Sequence, residues 1–188
     1  MWKYNELKAA EAAWTLLQLA GGQLNYMKLI KLLYIADRRA LAQWERPVTT
    51  DEFWAMENGP IPSHIYDHIK QQGSEQGAWQ ERISPGISKF DIGIKSEQIP
   101  MRELCEAEVE LLKSVHAEFG HLDQYQLRNY MHDHFQEYSP PQPITSSKRI
   151  ELESVLEAVA YSRENIERIT REIAEETAIN ALFEQASL

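Results

Sequence analysis

The segment "NGPIP", residues 58–62, constrains the fold more than any other stretch, because it interrupts any helix that runs into it. Gly59 can adopt a positive φ that residues with a Cβ avoid. Pro60 lacks the amide proton that a helix needs and disfavours the helical conformation at the residue before it. Pro62 is compatible with the first turn of a following helix. The segment therefore predicts a rigid corner between two helical stretches, with Gly59 at positive φ.

Apolar residues at helical spacing predict two helices ahead of the corner, over residues 6–19 and 26–44. Asn5 and Asn25 are the predicted N-caps, because a short polar side chain can accept an amide proton of the first turn. The second helix is apolar around most of its circumference, which predicts a central position. Three of its residues are expected to be buried: Leu29, Leu33 and Ala36.

Further helices are predicted on both sides of a short hairpin. A helical segment over residues 51–57, capped by Thr50, is expected before the corner. The hairpin is expected over residues 79–84 and 87–95, because apolar and polar residues alternate in the second run. Cys105, on an apolar helix face, is expected to be a small core residue. The remaining helices are predicted over residues 61–72, 102–119, 123–132, 147–161 and 164–183.

Composition narrows the class of protein. The chain has 188 residues and a hydrophobic fraction of 43%, enough for a substantial core. Its net charge of -10 disfavours general binding to nucleic acid or anionic lipid, which needs a basic surface. A single cysteine excludes a disulfide within the chain, and no apolar run approaches the roughly 20 residues of a membrane span. We therefore expect a soluble, cytoplasmic protein without a membrane partner.

Two clusters of side chains could hold a metal ion. One is His132, Asp133 and His134, near a helix end, where a further ligand is also missing. The other lies after the corner. His64, Asp67 and His68 share one face of the helix that follows the corner, at a spacing that suits Zn²⁺. The alternative is a solvated face opposite the apolar side of that helix. Because no fourth ligand is evident, we predict neither a metal nor a cofactor, and no catalytic residues. A metal-dependent hydrolase that uses these three residues stays open as an alternative.

Two sets of side chains are candidates for contacting a protein partner, since aromatic residues and arginine favour interface cores. Basic residues lie on one side of the second helix, either as a solvated rim or as a strip for an acidic partner or a phosphate: Lys28, Lys31, Arg38 and Arg39. Aromatic and acidic residues surround the corner: Trp54, Glu57 and Tyr66. The double substitution Arg38→Glu/Arg39→Glu is expected to leave the fold intact and to weaken partner binding.

Two stretches, "KLIKLLYIADRRAL" and "EFWAMENGPIPSHIYDHIK", together resemble the Panacea domain of the SocA-like antitoxin family. The later stretch "EFGHLDQYQLRNYMH" is also similar to the second half of that family, so the resemblance covers about residues 5–138. The matching positions are Lys28, Leu29, Lys31, Leu32, Tyr34, Glu52, Ala55, Gly59, Pro60, Pro62 and Tyr66.

The resemblance implies a mostly α-helical domain with a small β element and no catalytic activity. Family members neutralise a toxin by direct binding, and at least one hands its toxin to a Clp-type protease. We therefore predict an antitoxin of a bacterial or phage toxin–antitoxin system, with a compact domain over residues 1–145 and a charged helical extension over 146–188 packed on it. A DNA-binding autoregulator is a further alternative, which the net charge of -10 disfavours.

Overall fold

The computed structural model describes residues 2–70 and 77–186, with side chains described through residue 183. Helices account for 56% of the structure, and the strands form small antiparallel sheets. The predicted mostly α-helical class with small β elements is confirmed. No helix among the described residues is long and apolar enough to cross a membrane. The division into a domain over residues 1–145 and an extension over 146–188 stays a prediction.

The described ranges contain eight helices and six short strands. The helices are α1 Glu6–Leu19, α2 Tyr26–Trp44, α3 Ser63–Lys70, α4 Ala78–Arg82, α5 Glu106–Phe119, α6 Gln124–His134, α7 Leu152–Ala158 and α8 Arg163–Ala186. The strands are β1 Gln23–Asn25, β2 Phe53–Met56, β3 Gly59–Pro62, β4 Ile83–Pro85, β5 Asp91–Ile94 and β6 Lys148–Arg149. The strand orders in the two sheets are β1-β5-β4 and β3-β2-β6.

The first two helices begin and end where the sequence predicts. The Asn5 side chain accepts the amide proton of Lys8 at 3.0 Å, and the Asn25 side chain accepts that of Met27 at 2.9 Å. Helix α2 is the centre of the fold and contacts α1, α3, α5, α6, α7 and β3. The expected burial is confirmed for all three of its residues: Leu29, Leu33 and Ala36.

Truncation of Leu33 tests the central position of α2. Because Leu33 is completely buried, Leu33→Ala should leave a cavity and lower the free energy of unfolding by about 2–5 kcal/mol. Urea denaturation measures the loss. Leu19→Ala on α1 is the matched control, since Leu19 is 37% exposed and its truncation should cost about 1 kcal/mol or less. Equal losses in the two variants would contradict the position assigned to α2.

The corner is a β-hairpin, so the predicted helical segment over residues 51–57 is wrong. Strands β2 and β3 pair antiparallel, with Phe53 opposite Pro62 and Met56 opposite Gly59. The two prolines are tolerated because β3 is an edge strand, where a missing amide proton costs little. Gly59 has a φ of 101°, which confirms its predicted conformation, and α3 starts directly after Pro62. The predicted end of that helix near residue 72 lies outside the described residues.

The predicted hairpin over residues 79–95 is confirmed, with both strands shorter than expected. Ile83 pairs with Ile94, and the sheet gains β1 as a third strand. Residues 78–82 form the helix α4 in place of the predicted start of the strand. The amide proton of Trp79, in the first turn of α4, is donated to the Glu6 carboxylate at 2.8 Å. This contact between distant parts of the chain favours the helical turn.

Helix α5 starts later than predicted, because the backbone just ahead of it is held by another helix. The amide protons of residues 102–104 donate to the buried carboxylate of Glu11 at 2.9, 3.0 and 3.1 Å. Those amides are therefore bonded outside a helix, and Cys105 becomes the N-cap of α5. Cys105 is exposed, so the expectation that it is a core residue is wrong.

Residues 147–161 form a strand and a short helix in place of the single predicted helix. Strand β6 pairs with β2, with Lys148 opposite Ala55, and α7 contacts both α2 and α8. The charged last helix is confirmed as α8. Arg168 of α8 donates to Glu45 at the C-terminal end of α2 at 2.5 Å, and Ile169 and Ile173 are buried.

Candidate functional site

The tip of the hairpin formed by β2 and β3 is held between α2 and α6. Tyr138, which follows α6, donates its hydroxyl proton to the carbonyl oxygen of Met56 at 2.9 Å. The ring of His132 stacks on the ring of Tyr138, with centroids 4.6 Å apart. Tyr138, which packs on His132, therefore fixes the position of the hairpin tip.

Lys31 of α2 lies against this hairpin tip. Its side chain is completely buried, and its Nζ has no hydrogen-bond partner among the described residues. A Cβ built on Gly59 would lie 2.9 Å from Lys31 Nζ and 3.5 Å from His132 Nε2. Glycine at position 59 therefore serves both the positive φ and the space that the ammonium group occupies.

Lys31 also lines a cavity of about 230 Å³, which we call the corner pocket. Its walls come from α2, from the hairpin, from α3 and from the segment that precedes β6. They include Tyr26, Glu57, Gly59 and Tyr66, together with apolar side chains. Glu57 is exposed at the hairpin tip, whereas Tyr66 is half-buried. The pocket is thus mostly apolar and has a buried amine in its wall.

The electrostatic surroundings of Lys31 are positive. Burial, with a smaller contribution from the charge of Arg128, lowers the pKa of Lys31 to about 7. Burial also lowers the pKa of His132, with smaller contributions from Lys31 and Arg128. Arg128, on α6, was not among the residues predicted from the sequence, and His132, on the same helix, was considered only as part of a possible metal cluster. Only the packing of α6 on the hairpin reveals them, because they lie about 100 residues from Lys31.

The predicted basic strip on α2 is not a continuous basic surface. Lys31 is buried, which corrects its assignment to a solvated rim or strip. Lys28 is half-buried and donates from Nζ to the carbonyl oxygen of Gly120 at 2.7 Å. These two lysines therefore face different surroundings, although they are three residues apart.

The two arginines of the strip both pair with carboxylates of the same chain. Arg38 donates to Glu137 at 2.8 Å and lies 4.4 Å from the centre of the Phe135 ring. Arg39 donates to Glu118 at 2.5 Å on a more exposed part of the surface. Their role in partner binding stays a prediction, and both are already engaged within the protein.

The aromatic and acidic residues of the corner separate into two locations. Glu57 and Tyr66 line the corner pocket together with Lys31. Trp54 lies in the middle of β2 between Ile61 and Arg149, is half-buried, and does not line that pocket. The structure thus brings together Lys31, Glu57 and Tyr66 and leaves Trp54 apart from them.

The two histidines of α3 contact a carboxylate and aromatic rings and do not form a shared metal site. His64 Nδ1 lies 2.7 Å from Asp51 Oδ1, and its ring stacks on Tyr4 with centroids 4.4 Å apart. His68 stacks between Tyr4 and Trp79, at 5.9 and 5.6 Å. Within the described residues, no group of three or more histidine, cysteine, aspartate or glutamate side chains could hold a metal ion.

Asp51 is a structural residue that sequence reasoning missed. Its buried carboxylate accepts the amide protons of His64 and Ile65 at 2.9 and 3.0 Å and so caps the start of α3. The hydrogen bond to Asp51 also raises the pKa of His64. The cap is separated from its helix by the whole hairpin, so no local sequence signal could identify it.

A second buried carboxylate lies near the middle of α2. Asp37 accepts the amide proton of Thr49 at 2.8 Å and its hydroxyl proton at 2.5 Å. Burial raises the pKa of Asp37 to about 7. These bonds fasten the segment that leads into the hairpin to the central helix.

Comparison with known proteins agrees with this architecture. A family model described as "Antitoxin SocA-like, Panacea domain" matches residues 29–136, more than half of the chain. The chain therefore belongs to the SocA-like family of Panacea-domain antitoxins. The matched segment extends from α2 to the end of α6 and includes Lys31, the hairpin, Arg128 and His132. No curated protein and no solved structure matches the chain.

Substitution of Gly59 tests whether this position needs both a positive φ and free space for the Lys31 side chain. Gly59→Ala should lower the free energy of unfolding by about 1–2 kcal/mol for the positive φ and by a further amount for displacing Lys31. Gly21→Ala is the matched control, because Gly21 has a φ of 84° and nothing within 4 Å of a built Cβ. Urea denaturation of both variants measures the difference. A loss at Gly59 no larger than that at Gly21 would mean that Lys31 does not need this space.

Proposed function

We propose that this protein is an antitoxin that neutralises a cognate protein toxin by direct binding, with the corner pocket as part of the contact surface. Family membership supports the antitoxin role. One observation carries the choice of surface: within the segment that matches the family, the buried Nζ of Lys31 lacks a hydrogen-bond partner among the described residues, and Lys31 is part of the wall of an open cavity.

Burial of an amine without a partner is costly, since buried polar groups in folded proteins are almost always hydrogen-bonded. A chain of this family gains nothing for its own stability from such a lysine. A role in binding gives the residue a benefit that offsets this cost. The half-buried Tyr66 and the exposed Glu57 add an aromatic surface and a second polar group at the rim, which suits contact with a protein.

Co-expression with the product of the adjacent gene tests the antitoxin role. Cells that produce the neighbouring protein alone should stop growing, and cells that also produce this protein should grow. The two purified proteins should form a complex in size-exclusion chromatography. A neighbour that is harmless alone, or one that remains toxic in the presence of this protein, would contradict the proposal.

Two finer expectations stay predictions. Transfer of the toxin to a Clp-type protease, which the family resemblance implies for at least one member, would shorten the half-life of the toxin in cells that contain both proteins. An unchanged half-life in a strain without the protease would argue against an adaptor role. A cytoplasmic location is the other expectation, and fractionation of cells tests it.

A further inference from the structure

Lys31 differs from the other basic residues of α2 in its hydrogen bonding. Lys28 donates to a carbonyl oxygen, whereas Arg38 and Arg39 donate to carboxylates. Lys31 Nζ is completely buried and has neither kind of contact among the described residues. An ammonium group in such a place needs an oxygen acceptor, and the cavity is lined by the same residue.

The charges around Lys31 favour a negative group at this place. His132 of α6 lies close to Lys31 at the Gly59 position, and the charge of Arg128 acts against the charge of Lys31. Tyr26 and Tyr66 line the cavity, and Glu57, the acidic residue at its rim, is exposed at the hairpin tip. A carboxylate close to Nζ would relieve this repulsion and form a charge-assisted hydrogen bond.

The lining of the pocket suits a side chain with an apolar stem. A cavity of about 230 Å³ has room for a side chain of a partner protein. Ile30, Ile61 and Tyr66 offer apolar wall area, which suits the methylene groups of a longer acidic side chain. Glutamate combines an apolar stem with a terminal carboxylate and matches both parts of the pocket.

We propose that the corner pocket binds the side-chain carboxylate of a glutamate residue of the partner protein, with Lys31 Nζ as the hydrogen-bond donor. The assignment to a partner rests on the proposed antitoxin function, whereas the affinity of the pocket for a carboxylate does not. The site is distinct from a basic surface strip, because it depends on one buried amine and on the space left by Gly59.

Binding of a small glutamate probe tests the pocket without the toxin. The probe is N-acetyl-glutamate N-methylamide, and its matched control is N-acetyl-glutamine N-methylamide, which has the same shape without the charge. Protein with ¹³C-labelled lysine is titrated with each compound while the Cε signal of Lys31 is followed by NMR. The signal is assigned by its loss in Lys31→Met. The glutamate probe should shift this signal and raise the pKa of Lys31 by about one pH unit or more.

The control arms separate the possible ligands. The glutamine compound should leave the Lys31 signal unchanged, and Lys113→Met, at an exposed lysine of α5 that pairs with Glu110, should bind the glutamate probe like the wild type. No shift with the glutamate probe would overturn the inference. A larger shift with inorganic phosphate than with the glutamate probe would also overturn it, because the site would then be selective for a small free anion.

The toxin assay makes the two proposals separately testable. If the toxin is neutralised, Lys31→Met should weaken its binding about tenfold to a hundredfold, whereas Lys113→Met should not. Unchanged toxin binding by folded Lys31→Met would overturn the role of the pocket and leave the antitoxin function standing. A bound glutamate probe together with a failure to neutralise would contradict the antitoxin function and leave the carboxylate site standing.

Discussion

Lys31→Met is expected to make the free protein more stable, although it removes the residue to which we assign partner binding. Methionine keeps most of the apolar stem of lysine and eliminates the buried amine. Since burial lowers the pKa of Lys31 from 10.5 to about 7, and each pH unit corresponds to roughly 1.4 kcal/mol, the gain should be up to about 5 kcal/mol at neutral pH. For a chain of this size the thermal midpoint should rise by up to roughly 20 °C.

The gain in stability of Lys31→Met should decrease as the pH rises. Between about pH 7 and pH 10.5 the unfolded chain keeps the proton on Lys31 while the folded chain has lost it, so the stability of the wild type rises with pH. Below about pH 7 both states are protonated and the full cost is present. The advantage of Lys31→Met should therefore be largest at or below pH 7 and should disappear toward pH 10.5.

Chemical denaturation of the two proteins at several pH values measures this advantage directly. Other titrating groups, such as the buried Asp37, are present in both proteins, so their contributions largely cancel in the difference. Removing the charge of Lys31 also changes the surroundings of His132, which titrates below the pH window of interest. A variant that is less stable than the wild type at pH 7 would show that the amine has a stabilising partner in the folded protein.

Local signals in the sequence were sufficient to predict much of the helical framework. The caps Asn5 and Asn25 act on amides two or three residues away, and both helices begin where these caps predict. The positive φ of Gly59 was also predictable, because glycine can adopt it and the following proline disfavours the helical conformation there. What these features share is that their physical cause lies within a few residues of the effect.

The errors have the opposite cause, since they come from contacts between distant parts of the chain. The carboxylate of Glu11 binds the amides of residues 102–104 and delays the start of α5. Pairing of β2 with β3 and β6 replaces the helical segment that was expected over residues 51–57. In each case a partner far along the sequence outweighs the local preference.

The candidate site contains residues that the sequence identified and a burial that it did not predict. Lys31, Glu57 and Tyr66 were all named as candidates from the sequence, although in two separate surfaces, and the structure places them around one pocket. The burial of Lys31 was not predictable, because its neighbours Arg128 and His132 come from α6. A lysine on a predicted helix is normally assigned to the solvated face, and only the packing of α6 and the hairpin overrides that rule.

Arg38 and Arg39, adjacent on α2, are expected to differ strongly in their contribution to stability. Arg38 pairs with Glu137, whose side chain is completely buried and which also accepts a hydrogen bond from Tyr34 at 3.1 Å. Arg39 pairs with Glu118 where the two side chains are 30% and 54% exposed. Because loss of one partner leaves a buried charge in the first case and a solvated charge in the second, the costs should be unequal.

Arg38→Met should therefore lower the free energy of unfolding by roughly 2–4 kcal/mol, whereas Arg39→Met should lower it by about 1 kcal/mol or less. Urea denaturation of the two variants provides the comparison, and each is the control for the other. Equal losses would contradict the structural role of Arg38.

The same reasoning revises the expectation for Arg38→Glu/Arg39→Glu, because the carboxylate introduced at position 38 would face the buried Glu137. Poor toxin binding by that variant would then report a damaged fold, so Arg39→Glu alone is the cleaner probe of an interface.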